Sequence, residues 1–304
     1  MSLETISLTV PKPYSFAASV CDHGWPALAP FRWDETRATL ERVERLDDKT
    51  VVLLHIKQGA ETEQQINLSI VVHSAQPLTA NARDEVTARV RWMLKLDQDY
   101  RDFYRRAATH ARIRRVVGQG RGRLLRSPTL WEDVVKTIAT TNVTWRNTVG
   151  MIERLVTTLG DPFPLEPTRH AFPTPQQVAA ADPVLFAETI RMGYRNSYVQ
   201  QLARELASSE RTLDAQTLCT LPTAALKTEL KSLKGIGDYA AHTLLMLLGH
   251  YGELPVDSEY RSFVHRHYFP TTPADALPDD KHIATLYDDW GAWKYLAYWF
   301  DHYD

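Results

Sequence analysis

The spacing of apolar residues changes once along this chain of 304 residues, and that change limits the folds open to it. Near the N-terminus, Ile66, Leu68, Ile70 and Val72 alternate with mostly polar neighbours, the period-two signature of a strand with one buried face. Segments 38–46, 50–58 and 65–73 are rich in aliphatic and β-branched residues, and the turn signals DDK and GAE separate them. They read as an antiparallel meander, followed by a helix over 81–96 that carries Val86, Val90, Met93 and Leu94 on one side. After the arginine-rich stretch the spacing becomes helical. It predicts helices over 128–141, 144–159, 175–191, 194–208, 222–232, 238–249, 258–268 and 280–302, punctuated by Pro, Gly and Asp. The expectation is a small α+β domain over 1–110 and an all-helical domain over 111–304.

Between the helices expected at 222–232 and 238–249 stands LKGIG, with Gly235 and Gly237 flanking Ile236 and Lys234 just before them. Glycines reach dihedral angles closed to other residues, so the chain can reverse tightly here, with Ile236 as an anchor to the core. The small side chains also leave backbone N–H groups uncovered at a helix start, where unsatisfied donors and the helix dipole suit a phosphate oxygen. An ordinary helix turn with a glycine cap has the same local sequence. Further on, Asp257 follows a Pro-Val step and precedes a helix, a natural N-cap whose accepted N–H bonds favour the ionised form.

Composition narrows the chemistry. Cys21 and Cys219 are the only cysteines and lie far apart, which leaves neither a disulfide framework nor a four-cysteine iron–sulfur centre. No cofactor or metal is expected. The net charge is −2, yet eight arginines (105, 106, 112, 114, 115, 121, 123 and 126) occur with no acid among them, a positive block suited to a polyanion or paired with acids elsewhere. No apolar run reaches 18 residues and MSLETISLTVPK lacks the pattern of a signal peptide, so a cytoplasmic protein without a membrane partner is expected.

The hairpin LKGIGDYAA, an apolar helix and LPVDSEY, with Asp257 twenty residues beyond Gly237 (257 − 237), resemble the helix-hairpin-helix Gly-Pro-Asp superfamily of DNA glycosylases. The segments WEDVVKTIATTNVTWRNTVGMIERL (131–155) and MGYRNSYV (192–199) are most similar to 8-oxoguanine DNA glycosylases, and PFRW and RLLRSP have counterparts there. The resemblance implies an α+β protein with a TATA-binding-protein-like antiparallel sheet domain. It implies a monomer that acts on double-stranded DNA containing a damaged base.

The same resemblance implies roles for residues. Asn142 would fill the gap left by an extruded base, and Tyr194 would wedge into the opposite strand. Asn147 stands where the 8-oxoguanine enzymes read the opposite cytosine with arginine. Lys234, Gly235, Ile236 and Gly237 would meet phosphate. Asp257 would stabilise the positive charge that develops on the sugar, or orient the attacking water.

Tyr239 occupies the position of the lysine with which the bifunctional enzymes form a Schiff base. A phenol cannot form an imine, so hydrolysis without a lyase step is expected. An aromatic residue there is similar to 3-methyladenine DNA glycosylase II. This likeness points to alkylated purines, with Tyr239, Trp290 and Trp293 as rings for a cationic base. An 8-oxoguanine-type enzyme without its lysine, and a non-catalytic damage-binding protein, remain open alternatives.

Overall fold

The computed structural model describes residues 1–273 and 276–302. In chain order its main elements are β1 (Ser2–Pro11), α1 (Phe16–Cys21), β2 (Phe31–Asp34), β3 (Thr39–Arg45), β4 (Val51–Glu61), β5 (Gln65–Ser74), α2 (Ala80–Met93) and α3 (Arg101–Thr109). There follow α4 (Leu130–Thr140), α5 (Trp145–Leu159), β6 (Pro162–Phe163), β7 (Glu166–His170), α6 (Pro175–Ala180) and α7 (Arg195–Ala207). The last are α8 (Thr223–Lys231), α9 (Asp238–Leu248), α10 (Ser258–Tyr268) and α11 (Lys294–His302). The chain is α+β, as the change of period requires. Its compact units, however, are discontinuous: Met1–Gln98 joins Gln119–Asp214, and Asp99–Gly118 joins the chain from Ala215 onward. The boundary expected near 110 therefore falls inside a segment that groups with the C-terminal helices.

The first unit is built on a five-stranded antiparallel sheet in the order β1-β5-β4-β3-β2. Alternation sets its register: Leu54 lies opposite Val72 and Ile56 opposite Ile70, all fully buried. β1 pairs with β5 from Ser2↔Ser74 to Pro11↔Gln65. Its Ser, Thr and Glu residues make this edge strand weak as a pattern, so periodicity alone predicts no strand there. Helix α2 starts at an N-cap, Thr79, whose hydroxyl accepts from Ala82 N at 3.1 Å, and buries Val86, Val90 and Met93. The sheet is also covered on its other face at one end, where Val43, Val51 and Leu53 cluster with Phe163 and Ala171 around the β6–β7 hairpin.

A buried charge cluster ties this sheet to α4. The Arg42 guanidinium makes a two-pronged contact with Glu132 at 2.9 and 2.7 Å, and Lys136 Nζ lies 2.7 Å from the same carboxylate. Burial raises the Glu132 pKa, but the Arg42 and Lys136 cations outweigh it and hold the carboxyl at about 2. The helix expected over 175–191 breaks after α6, because Ala181 is extended (ψ 140°) ahead of Asp182–Pro183. The chain then passes through a wide turn to Arg191 in the left-handed region (φ 56°).

In the second unit α9 is buried along most of its length, from Ala240 to Leu248. The helix expected over 280–302 is interrupted. Gly291 adopts φ 55° and ψ −117°, so the regular helix α11 begins only at Lys294. The arginine block does not form one basic face. Arg105 and Arg106 bond Asp102, Arg112 bonds Asp301, and Arg121 reaches Asp22 at 3.0 Å. Arg123 and Arg126 are buried and donate to the carbonyls of Lys95 and Trp92. Acids and carbonyls outside the stretch thus satisfy much of its charge.

Candidate active site

Within the second unit, the hairpin between α8 and α9 has the shape that LKGIG demands. Gly235 lies at φ 90°, a conformation that strains any side chain with a Cβ, and Ile236 is buried beneath it (5% exposed). Gly237 differs from the expectation: it is extended (φ −88°, ψ −170°), and its value is open space, since an added Cβ would meet nothing within 4 Å. No side chain caps α9, so its first N–H donors stay available beside exposed Lys234. Asp238 in that first turn would repel an anion. Its charge is countered by Lys231 Nζ at 2.7 Å, whose hydrogen bond lowers the Asp238 pKa.

Tyr239 projects from the first turn of α9 with half its surface exposed (51%). Asp257 is the N-cap of α10, and its Oδ1 accepts from Tyr260 N at 2.8 Å. It is half-buried, neither sealed inside nor fully solvated. The loop leading to it is tied to the hairpin helices: Lys227 of α8 donates to Glu253 at 2.6 Å and approaches His242 Nε2 of α9 at 3.2 Å. The His242 ring is oriented through Nδ1, 2.7 Å from the Asp238 carbonyl. Of Lys227, His242 and Glu253, none of them singled out by motif, only His242 carries a sequence signal, an imidazole in an otherwise apolar helix. Glu259, beside the aspartate in sequence, lies 3.2 Å from His302 Nε2.

Trp293 is half-buried in an aromatic cluster, stacked on Tyr251 (centroids 5.6 Å, 22°), with its indole N–H donating to Asp102 at 2.9 Å. Hydrogen bonds from Arg105 and then Arg106 pull the Asp102 carboxyl down to about 2. Trp290 does not present an open ring. It is 6% exposed, packed on Phe103 (6.0 Å) and against the edge of His110 (5.3 Å), which makes it part of the core. Gly291 between the two tryptophans breaks the helical spacing on which their shared face was predicted.

The first unit brings together two residues 52 positions apart (194 − 142). Asn142 follows the end of α4 in the left-handed region (φ 47°), exposed to solvent. Hydrogen bonding from the side chains of Thr141 and then Asn142 holds the Tyr194 phenol below the usual tyrosine range. Tyr194 itself is 52% exposed, and the Arg195 guanidinium lies over its ring at 4.5 Å. Arg195, buried, also donates to the Thr141 carbonyl and so pins the turn that presents Asn142. Arg195 and Thr141 were legible only as neighbours of the residues chosen from sequence. Asn147 is exposed in the first turn of α5. Among the described residues no group of three or more His, Cys, Asp or Glu could hold a metal ion.

Residues 135–296 match the family model of the HhH-GPD superfamily base excision DNA repair proteins. Among solved structures, the 3-methyladenine DNA glycosylase from Archaeoglobus fulgidus is similar at TM-score 0.73 and 19% identity, covering 99% of this chain and 97% of that one. The apo 8-oxoguanine glycosylase/lyase of Clostridium acetobutylicum gives TM-score 0.71 and 17% identity, covering 99% and 98%. The same enzyme with double-stranded DNA containing cytosine opposite 8-oxoguanine gives 0.70 and 17%, covering 100% and 97%. At these identities the likeness is one of fold. No curated protein matches the chain.

Proposed function

The chain belongs to the HhH-GPD superfamily of base excision DNA repair proteins, and from that premise we propose that it is a monofunctional DNA glycosylase that removes alkylated purines. The observation that carries this reading is the phenol of Tyr239, half exposed on the first turn of α9, at the position where the resemblance to bifunctional enzymes would put an amine. Without an amine there is no Schiff base, and water is the nucleophile.

In the proposed reaction the nucleotide is rotated out of the duplex, at a cost of about a few kcal/mol that Asn142 and Tyr194 offset by occupying the gap. A purine alkylated at N3 or N7 carries positive charge, so its bond to C1′ is already weakened. That bond breaks with its electron pair going to the departing ring, which leaves as a neutral base. Asp257 stabilises the oxocarbenium-like sugar, water adds its oxygen to C1′, and the proton it sheds passes to the carboxylate or to solvent. The electron-rich Tyr239 ring supports the choice of a cationic base. The wedge pair, shared by resemblance with 8-oxoguanine enzymes, favours 8-oxoguanine as a second substrate class.

Release of free base decides between them. With the full chain in excess, methylated duplex should yield 3-methyladenine or 7-methylguanine, and an 8-oxoguanine:cytosine duplex should yield little. The reverse order would replace the alkylated substrate with the oxidised one. Borohydride should trap no covalent adduct; an adduct would refute the monofunctional mechanism.

A further inference from the structure

Trp145 is the first residue of α5, and 44% of its surface is exposed. A large indole left in water is an uneconomical use of apolar surface unless something covers it. Its placement is not accidental. A Cβ added at Gly24 would lie 2.9 Å from Trp145 Cη2 and 3.0 Å from Cζ2, so the benzo edge of the ring rests in a slot that only a glycine leaves open. The ring is therefore held along one edge while much of it faces solvent.

Its surroundings point to a polyanion. Exposed Asn142 stands three residues before it (145 − 142), and exposed Arg146 and Asn147 follow it. No acid occurs from residue 134 to 152. Arg146 has no hydrogen-bond or ion-pair partner among the described residues, whereas the arginines at 105, 106, 112 and 121 are each paired with a carboxylate. Trp145 and Tyr194 are the large aromatic side chains left exposed in this unit; Trp145 is three residues from Asn142, and Arg195, whose guanidinium lies over the Tyr194 ring at 4.5 Å, donates to the carbonyl of Thr141, the residue before Asn142.

From this juxtaposition we infer that Trp145 is a stacking platform for an unpaired nucleobase of the duplex opened beside Asn142, with Arg146 taking the adjoining phosphate. The inference rests on the glycosylase reading and extends it: Trp145 would add affinity for the opened duplex and little for an intact one. Every base offers a π-face, so such a platform tolerates any sequence. Alanine substitution of a stacking residue typically weakens binding by roughly 5- to 150-fold per base.

The test uses the full chain and two duplexes of one length, one intact and one with a tetrahydrofuran abasic analogue opposite 2-aminopurine. Trp145→Ala should weaken binding to the abasic duplex about tenfold, leave the intact duplex within about twofold, and abolish the quenching of 2-aminopurine seen with the wild type. Trp145→Phe should retain part of both effects. Gly24→Ala, which keeps the indole but displaces it from its slot, should behave like a mild form of Trp145→Ala. Melting temperatures show whether each variant is folded.

Unchanged affinity for the abasic duplex with Trp145→Ala would overturn the platform. So would an equal loss on both duplexes with a shallower salt dependence, which would make the ring a support for Arg146 against phosphate. A wild-type protein that failed to prefer the abasic duplex would sink the glycosylase reading as well, and this is measured before any variant is made.

Discussion

Replacing Asp257 separates two jobs that one carboxylate would perform. Its Oδ1 caps α10 through Tyr260 N at 2.8 Å, and its charge is proposed to face the developing sugar cation. Asparagine is about as good an N-cap as aspartate, so Asp257→Asn should cost only the interaction of the charge with the helix dipole, about 0.3–1 kcal/mol. In a chain of 304 residues that lowers the melting temperature by about 2 °C at most. Asp257→Ala loses the cap as well, about 1 kcal/mol more.

The reaction should respond on another scale. Removing a preorganised group aimed at developing charge costs about 3–4 kcal/mol of barrier, or roughly 100- to 1,000-fold in rate. Both variants should therefore lose at least about 100-fold in single-turnover release of 3-methyladenine from methylated duplex. Only the alanine variant should lose appreciable stability in a thermal melt. Turnover by Asp257→Asn within about threefold of wild type, less than 1 kcal/mol of barrier, would refute a catalytic carboxylate. Activity that fell in step with melting temperature across the two variants would make Asp257 a cap and nothing more.

Other perturbations test the scaffold. Glu132→Ala leaves Arg42 and Lys136 buried without their shared carboxylate and should destabilise the protein by about 3–5 kcal/mol, read as a shift in the urea midpoint. Asp133, next to it and buried, accepts from Trp25 Nε1 and Ser127 N, yet burial raises its pKa from 3.8 to about 6. A carboxyl raised on folding contributes stability that is complete below pH 3.8 and lost as pH rises through 6. The wild type should lose about 3 kcal/mol relative to Asp133→Asn across that window, and parallel pH–stability curves would refute the shift. Tyr194→Phe removes the hydroxyl of a half-exposed ring and should weaken binding to an abasic duplex by roughly 2- to 10-fold, with the melting temperature nearly unchanged.

How much of this was legible in the sequence depended on the range of the interaction. The strand–helix change, the reversal at Gly235 and the capping aspartate each rest on dihedral preference or on a hydrogen bond spanning a few residues, such as Asp257 to Tyr260. Such local terms act wherever the segment ends up. The absence of an amine at 239 is likewise a statement about one residue's chemistry. Helix interruptions were harder: nothing in the period of 280–302 revealed that Gly291 would take a left-handed conformation and send Trp290 into the core.

Tertiary structure alone decided where charges and distant neighbours met. The run of arginines from 105 to 126 is open, from sequence, either to a basic face or to pairing with acids elsewhere. Chain reversal delivered Asp22 to Arg121, and Asp301 to Arg112, while Arg126 was buried against Trp92. The bond from Arg195 to the Thr141 carbonyl, and the slot at Gly24 that steadies Trp145, belong to the same class. A side chain's propensity travels with it, but Coulomb pairing and packing depend on separation in space, and separation in space is a property of the folded chain as a whole.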